Sequence, residues 1–225
     1  MQSSHHTIIR TDCISFPRSG HGALYHVLKR YFGDALHYCA PLPPNNCGCG
    51  RVPCTNPTTN FTKNHDFGLY QGGGVEIRPK RQYLIQFRNP VRSIISNYHL
   101  FLEQHPSKNS RKEWYFYAHQ WLVFWNRLID KWALDVEQQI TTRMMLSYEH
   151  LVQHPANAIG QVITFMTGDE ARLEHLQHAI AQVDLKPRNR YADFPYLDRG
   201  FIYKLEELAG PRLALLNLPS FADSI

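Results

Sequence analysis

Two arginines in this chain of 225 residues stand where an anion could be gripped. Arg18 lies in the turn Ser15-Phe16-Pro17-Arg18-Ser19-Gly20-His21-Gly22-Ala23-Leu24, between a short apolar strand pattern and a helical one. A turn of that kind leaves several backbone N–H groups and the positive end of a helix at the lip of a sheet, where negative charge is stabilised. The Arg18 guanidinium adds a permanent charge whose fork matches phosphate or sulfate oxygens. The same residues also read as an ordinary βα turn in which Ser19 caps the helix and Arg18 is solvated.

Arg88 follows the apolar run Arg81 to Phe87 and precedes Asn89-Pro90. Asn is a good N-cap and Pro fits the first helical position, so a helix is predicted to start there. Arg88 then sits at the carboxyl end of a strand, where open α/β sheets bind their ligands. Ser96 comes six residues after Pro90, roughly 9 Å along the helix axis. A strand-end guanidinium and a hydroxyl on the next helix can hold one phosphate from two sides.

Together these segments resemble the sulfotransferases. FPRSGHGAL is similar to the family's 5′-phosphosulfate loop, and RNPVRSIISNYH to its 3′-phosphate motif, with an Arg and a Ser eight residues apart. Thr62-Lys63-Asn64-His65-Asp66 looks like the family's Lys-x-His segment at a strand end, and Ser147-Tyr148-Glu149-His150-Leu151 like its Tyr-Glu-Asp-Leu segment. The four occur in the family's order between residues 13 and 166, about two thirds of the chain.

The resemblance implies a 3′-phosphoadenosine 5′-phosphosulfate donor, leaving as adenosine 3′,5′-bisphosphate, and no required metal. It implies that Arg18, Ser19, Gly20, His21, Gly22 and Ala23 hold the 5′ end, Arg88 and Ser96 the 3′-phosphate, and Tyr148 a neighbouring part of the nucleotide. The His21 side chain is expected on the sulfate. His65 is the candidate general base, since an imidazole near its normal pKa accepts a proton at neutral pH. On an extended strand Lys63 and His65 share a face, which would put Lys63 near the sulfuryl oxygens; Asp66 would face the other way if the strand continues, and is not assigned as an orienter of His65. The family often has Lys where Arg18 stands and hydroxyls at His21 and Gly22, so Arg18 is expected to act by charge alone. The family's late Arg-Lys-Gly loop is missing; Lys186-Pro187-Arg188-Asn189-Arg190 is the nearest basic run, and Arg188 is carried as a cofactor contact on that ground.

The elements that must position these residues alternate between strand and helix, which predicts an α/β fold, P-loop-like and three-layered, with a mostly parallel sheet between helices. Strands are expected at 11–16, 36–38, 61–65, 82–87 and 143–148. Helices are expected at 20–32, 90–103, 111–134, 155–166, 170–182 and 203–209. The stripe Trp114, Tyr117, Trp121, Phe124, Trp125, Leu128 reads as core, with one end free to line an acceptor pocket. Gly72-Gly73-Gly74 reads as a flexible turn.

Composition bounds the rest. The length suits one domain spanning 1–225. Hydrophobic residues make up 43 % and the mean hydropathy is -0.40, which excludes a disordered chain. No apolar run reaches the length of a membrane span, and Met1 to His6 lacks a signal pattern, so a cytoplasmic location is expected. The net charge of +5 favours anionic ligands, but no basic block or recognition motif points to nucleic acid. A P-loop nucleotide kinase would share the turn, yet its Gly-x4-Gly-Lys-Ser/Thr pattern is absent. A non-catalytic module binding an anionic polymer is the other alternative. Cys39, Cys47, Cys49 and Cys54 fall in one loop rich in Pro, Asn and Gly. Structural zinc is conceivable there, but the irregular spacing favours free thiols and no metal is assigned. The acceptor is expected to be a carbohydrate, glycolipid or small hydroxylated compound.

Overall fold

The computed structural model describes residues 7–41, 47–186, 191 and 193–225. Five parallel strands form its sheet: β1 (Thr11–Ser15), β2 (Tyr38–Cys39), β3 (Phe61–Asn64), β4 (Gln82–Phe87) and β5 (Thr142–Ser147), in the order β2-β3-β1-β4-β5. Every residue of β1 and β4 is buried, as expected of strands covered on both faces. The α/β architecture is therefore the expected one.

Side chains alternate between two cores. On one face, Ile14, Tyr83, Ile85 and Phe87 pack against α2 (Pro90–Gln104), α3 (Arg111–Leu128) and a late helix, Arg199–Ala209. On the other, Cys13, Leu84 and Leu146 pack against α1 (His21–Phe32) and the helices Pro155–Thr167 and Leu173–Ala181. Several polar residues inside the strands are paired: Gln82 Nε2 donates to Thr11 Oγ1 at 2.9 Å, and Thr62 Oγ1 donates to Asp12 at 3.2 Å. Such pairing is what lets them be buried.

Several boundaries differ from the sequence reading. The expected helix 111–134 ends at Leu128 and runs on as a π-helical turn, Ile129–Leu134. That turn delivers Lys131 and Trp132 to Asp66, whose carboxylate accepts from Lys131 Nζ at 3.0 Å and Trp132 Nε1 at 2.8 Å. The edge strand lies at Tyr38–Cys39 rather than 36–38. Tyr148 does not end a strand: Ser147 Oγ accepts from His150 N at 3.1 Å and so opens α4 (Tyr148–Gln153). Of the glycine run only Gly74 is tightly packed: a Cβ there would meet Lys131 Nζ at 2.8 Å and Asp66 Oδ1 at 3.1 Å, whereas one on Gly72 would meet nothing within 4 Å.

Candidate functional site

The turn after β1 holds two left-handed residues, Arg18 (φ 69°) and Gly20 (φ 84°), flanking Ser19. Alternation of this kind aims successive N–H groups at one point. Gly20 is required twice over: its φ is costly for any residue with a Cβ, and that Cβ would lie 2.8 Å from the Tyr148 ring. The first helical bond of α1 runs from Leu24 N to Gly20 O. The N–H groups of His21, Gly22 and Ala23 therefore have no partner a turn earlier. Among the described residues no side chain caps α1, and its first turn carries no acid. Ser19 Oγ does not act as the cap; it is buried with no partner among the described residues. A Cβ on Gly22 would meet nothing within 4 Å.

Helix α2 closes against this turn. Asn89 Oδ1 accepts from Val91 N at 3.0 Å and Arg92 N at 3.2 Å, and Pro90 takes the first helical position, as the sequence predicts. Ser93 Oγ donates to Pro17 O at 3.0 Å, and Arg18 Nε donates to Ser96 Oγ at 3.0 Å. Arg88, 7 % exposed, donates from Nη1 to Arg18 O at 3.4 Å, while its guanidinium lies 4.1 Å from the centre of the Tyr148 ring. Its Nε is buried without a partner among the described residues. Burial lowers the Arg88 pKa, against the pull of Tyr148 and Glu149, yet a guanidinium stays charged at any physiological pH. The two arginine sites are thus in direct contact at the carboxyl ends of β1 and β4.

His65 leaves the end of β3 beside these sites. Its Nδ1 donates to Ser15 O, which leaves the lone pair on Nε2. Burial first, and then the Lys63 charge, hold its pKa at about 4 rather than near the normal value expected from the sequence, so the ring is neutral at pH 7 and a weaker base than an ordinary imidazole. Lys63 is depressed by burial, with Arg18 adding repulsion. The turn beyond His65 is fixed by Asp66, in a left-handed conformation (φ 48°) with its amide donating to Asn64 Oδ1 at 2.8 Å. Asp66 makes its contacts with Lys131, Trp132 and Val75, set by its left-handed turn rather than by strand alternation, since β3 ends at Asn64.

Near His65 stand aromatic rings that sequence reasoning missed in part. Phe67 lies 5.2 Å from His65, and Phe67 and Tyr70 both make edge contacts with Trp121. Phe67 is 51 % exposed. Trp114, Phe124 and Trp125 of α3 are core as expected, whereas Trp121 and Tyr117 stack at its margin. No local pattern could announce Phe67 or Tyr70; only the α3 stripe gave a signal. Ser93, three residues before Ser96 on one helix face, and Glu149, whose Oε1 accepts from Asn89 N at 3.2 Å, were also unassigned.

The expected role of the His21 side chain is overturned. It points into the protein: Nδ1 meets Gln86 Oε1 at 3.0 Å, Nε2 meets Tyr38 Oη at 2.9 Å, and the ring stacks on Phe61. Burial drives its pKa down to about 3. Only its main chain faces the anion turn. Arg188 lies outside the described residues. The sulfurs of the four loop cysteines, Cys39, Cys47, Cys49 and Cys54, all lie within 4.8 Å of one another.

The chain is similar in structure to mouse sulfotransferase SULT7A1, solved in complex with PAP, with a TM-score of 0.65 at 14 % identity over 96 % of this chain and 89 % of that one. It also aligns with a sulfotransferase from Alicyclobacillus acidocaldarius at a TM-score of 0.49 and 14 % identity, over 94 % and 95 % of the two chains. No protein-family model and no curated protein sequence matches it. The fold is that of the mouse sulfotransferase.

Proposed function

We propose that this chain is a sulfotransferase that takes 3′-phosphoadenosine 5′-phosphosulfate as donor and sulfates an acceptor hydroxyl. The observation that carries the reading is the Arg18 Nε to Ser96 Oγ bond at 3.0 Å. It joins the two segments that such a donor, anionic at both ends, would need side by side. The residues present fit that ligand: a helix start with no side-chain cap, and a Ser19 hydroxyl and an Arg88 Nε–H that are buried without partners among the described residues. An anion would satisfy donors that are otherwise costly to bury.

The donor would supply the sulfuryl group. On the 5′ side, Arg18, Ser19 Oγ and the N–H groups of Gly20, His21, Gly22 and Ala23 hold negative charge and stabilise what builds up on departure. On the 3′ side, Arg88 and Ser96 hold phosphate, and Tyr148 braces Arg88 from behind. His65 Nε2 takes the acceptor proton, its tautomer set by Ser15 O. Lys63 keeps a positive charge close by and helps hold His65 neutral. Phe67, Tyr70 and Trp121 offer ring faces to an acceptor, which suits a carbohydrate, glycolipid or small hydroxylated compound. Protein cations do the neutralising, so the reading requires no metal at this site. Arg188 remains a candidate contact to the nucleotide.

Calorimetry tests this directly. Adenosine 3′,5′-bisphosphate should bind without metal, and ATP with Mg²⁺ should bind far more weakly. The reverse order would support a nucleotide kinase and end the sulfotransferase reading. A screen with radiolabelled donor against sugar and phenolic acceptors would then identify the product.

A further inference from the structure

We propose that Cys39, Cys47, Cys49 and Cys54 bind one zinc ion that staples the connection between β2 and β3. The inference is independent of the sulfotransferase reading. It starts from an anomaly in the fold. Strands β2 and β3 are parallel neighbours, and such strands are normally joined by a crossover helix. Among the described residues between Cys39 and Phe61 there is no helix, and within 40–60 only Cys54 and Thr59 are buried. A segment of that length without an apolar core of its own needs another source of order.

The sulfurs supply it. Four thiolates at the usual Zn–S distance of about 2.3 Å form a tetrahedron with edges of about 3.8 Å. The Cys47 and Cys54 sulfurs are 3.5 Å apart, those of Cys49 and Cys54 3.7 Å, and none of the four is more than 4.8 Å from another. Disulfides would draw the atoms into bonded pairs instead, at about 2 Å. Backbone N–H groups also converge on the sulfurs: Cys47 N on Cys39, Cys49 N on Cys47, Arg51 N and Thr55 N on Cys49, and Asn56 N on Cys54. Such donors stabilise thiolate ligands from outside the coordination shell.

The cluster is also fixed to the sheet. Arg10 Nη1 donates to Asn56 O at 2.7 Å, Nη2 donates to Cys54 O, and Nε lies 3.5 Å from Asp12. Cys39 closes β2 itself. Cys39, Cys54 and neighbouring loop residues line a small cavity together with Asp12, Thr62 and Asn64. Four protein sulfurs leave zinc no open position, so the ion is structural and takes no part in transfer.

Elemental analysis of the full chain, purified without chelator, should give one zinc per chain and a mass with all five cysteines reduced. Four thiols should become titratable only when a strong chelator removes the metal, while buried Cys13 stays silent. Cobalt(II) exchanged into the site should show the absorption of a tetrahedral four-sulfur centre. Cys54→Ser should lower the zinc content at least tenfold; if that variant does not fold, the chelator and cobalt measurements on the unaltered chain decide. Metal-free protein with freely reacting thiols would overturn the proposal. So would a mass lowered by disulfide formation, or iron in place of zinc at the same stoichiometry.

Discussion

His65 donates from Nδ1 to the carbonyl oxygen of Ser15, so strand β1 dictates the tautomer of a side chain that follows directly on strand β3. The consequence is a proton acceptor at Nε2 that is already correct before any acceptor arrives. His65→Gln should therefore lower kcat about a hundredfold or more, the usual scale of a lost general base. Binding of adenosine 3′,5′-bisphosphate should change by less than about threefold. A variant that keeps its kcat would remove His65 from the chemistry.

The pH dependence should be displaced toward acid. A base must be unprotonated to work, and burial with the Lys63 charge holds the His65 pKa at about 4 rather than near its ordinary 6.5. The acid limb of kcat/KM should then lie near pH 4, with a flat profile from pH 5 to 7. Lys63→Met should move that limb upward, because it deletes a charge that disfavours the imidazolium. A limb at pH 6.5 that ignores the Lys63 change would contradict the arrangement.

Arg88→Ala should weaken adenosine 3′,5′-bisphosphate about ten- to a hundredfold, the range expected for charged hydrogen bonds to a phosphate. Adenosine 5′-phosphate, which lacks the 3′ group, should lose little. Equal losses for both nucleotides would mean that Arg88 only organises the turn through Arg18 O, and the 3′-phosphate role would fall.

What could be read in the sequence was local. Asn89 and Pro90 announce the start of α2 because capping and fixed φ act within a turn of chain, and they thereby place Arg88 at a strand end and Ser96 on the helix above it. The apolar runs of β1 and β4 are equally direct. His21 was misread because its partners, Tyr38 and Gln86, lie 17 and 65 residues away. Nothing in the turn itself says that its imidazole will be drawn under the sheet. The convergence of the four cysteine sulfurs is equally non-local: irregular spacing along the chain still allows them to meet when a loop folds back on β2. The Tyr148 boundary is different, since the Ser147 cap was there to be seen.

Acid should destabilise the fold partly through the misread histidine. His21 and His65 are held at about 3 and about 4 in the folded chain against 6.5 as their ordinary value. The unfolded chain thus binds more protons below pH 6.5, and stability is complete above that value and lost as pH falls toward 4 and then 3. Thermal unfolding followed from pH 7 to 4 should show a falling Tm. His21→Gln should flatten that slope even if it lowers Tm at pH 7, whereas an unchanged slope would mean that His21 does not titrate as its burial requires.

The two glycines of the anion turn should respond in opposite ways, although they are two residues apart. Gly20→Ala forces a Cβ into a left-handed residue and to within 2.8 Å of the Tyr148 ring. The backbone term alone costs about 1–2 kcal/mol, and relieving the clash would shift Tyr148 from beneath Arg88. Both Tm and affinity for adenosine 3′,5′-bisphosphate should drop. Gly22 has ordinary φ and open space where a Cβ would go, so Gly22→Ser should fold as well as the parent. Its hydroxyl would join the first turn of α1, beside the unpartnered N–H groups, and should leave nucleotide affinity equal or raise it. Loss of binding in Gly22→Ser without loss of Tm would mean that the anion approaches through the space Gly22 leaves empty, and that the helix start must stay bare for the donor to seat.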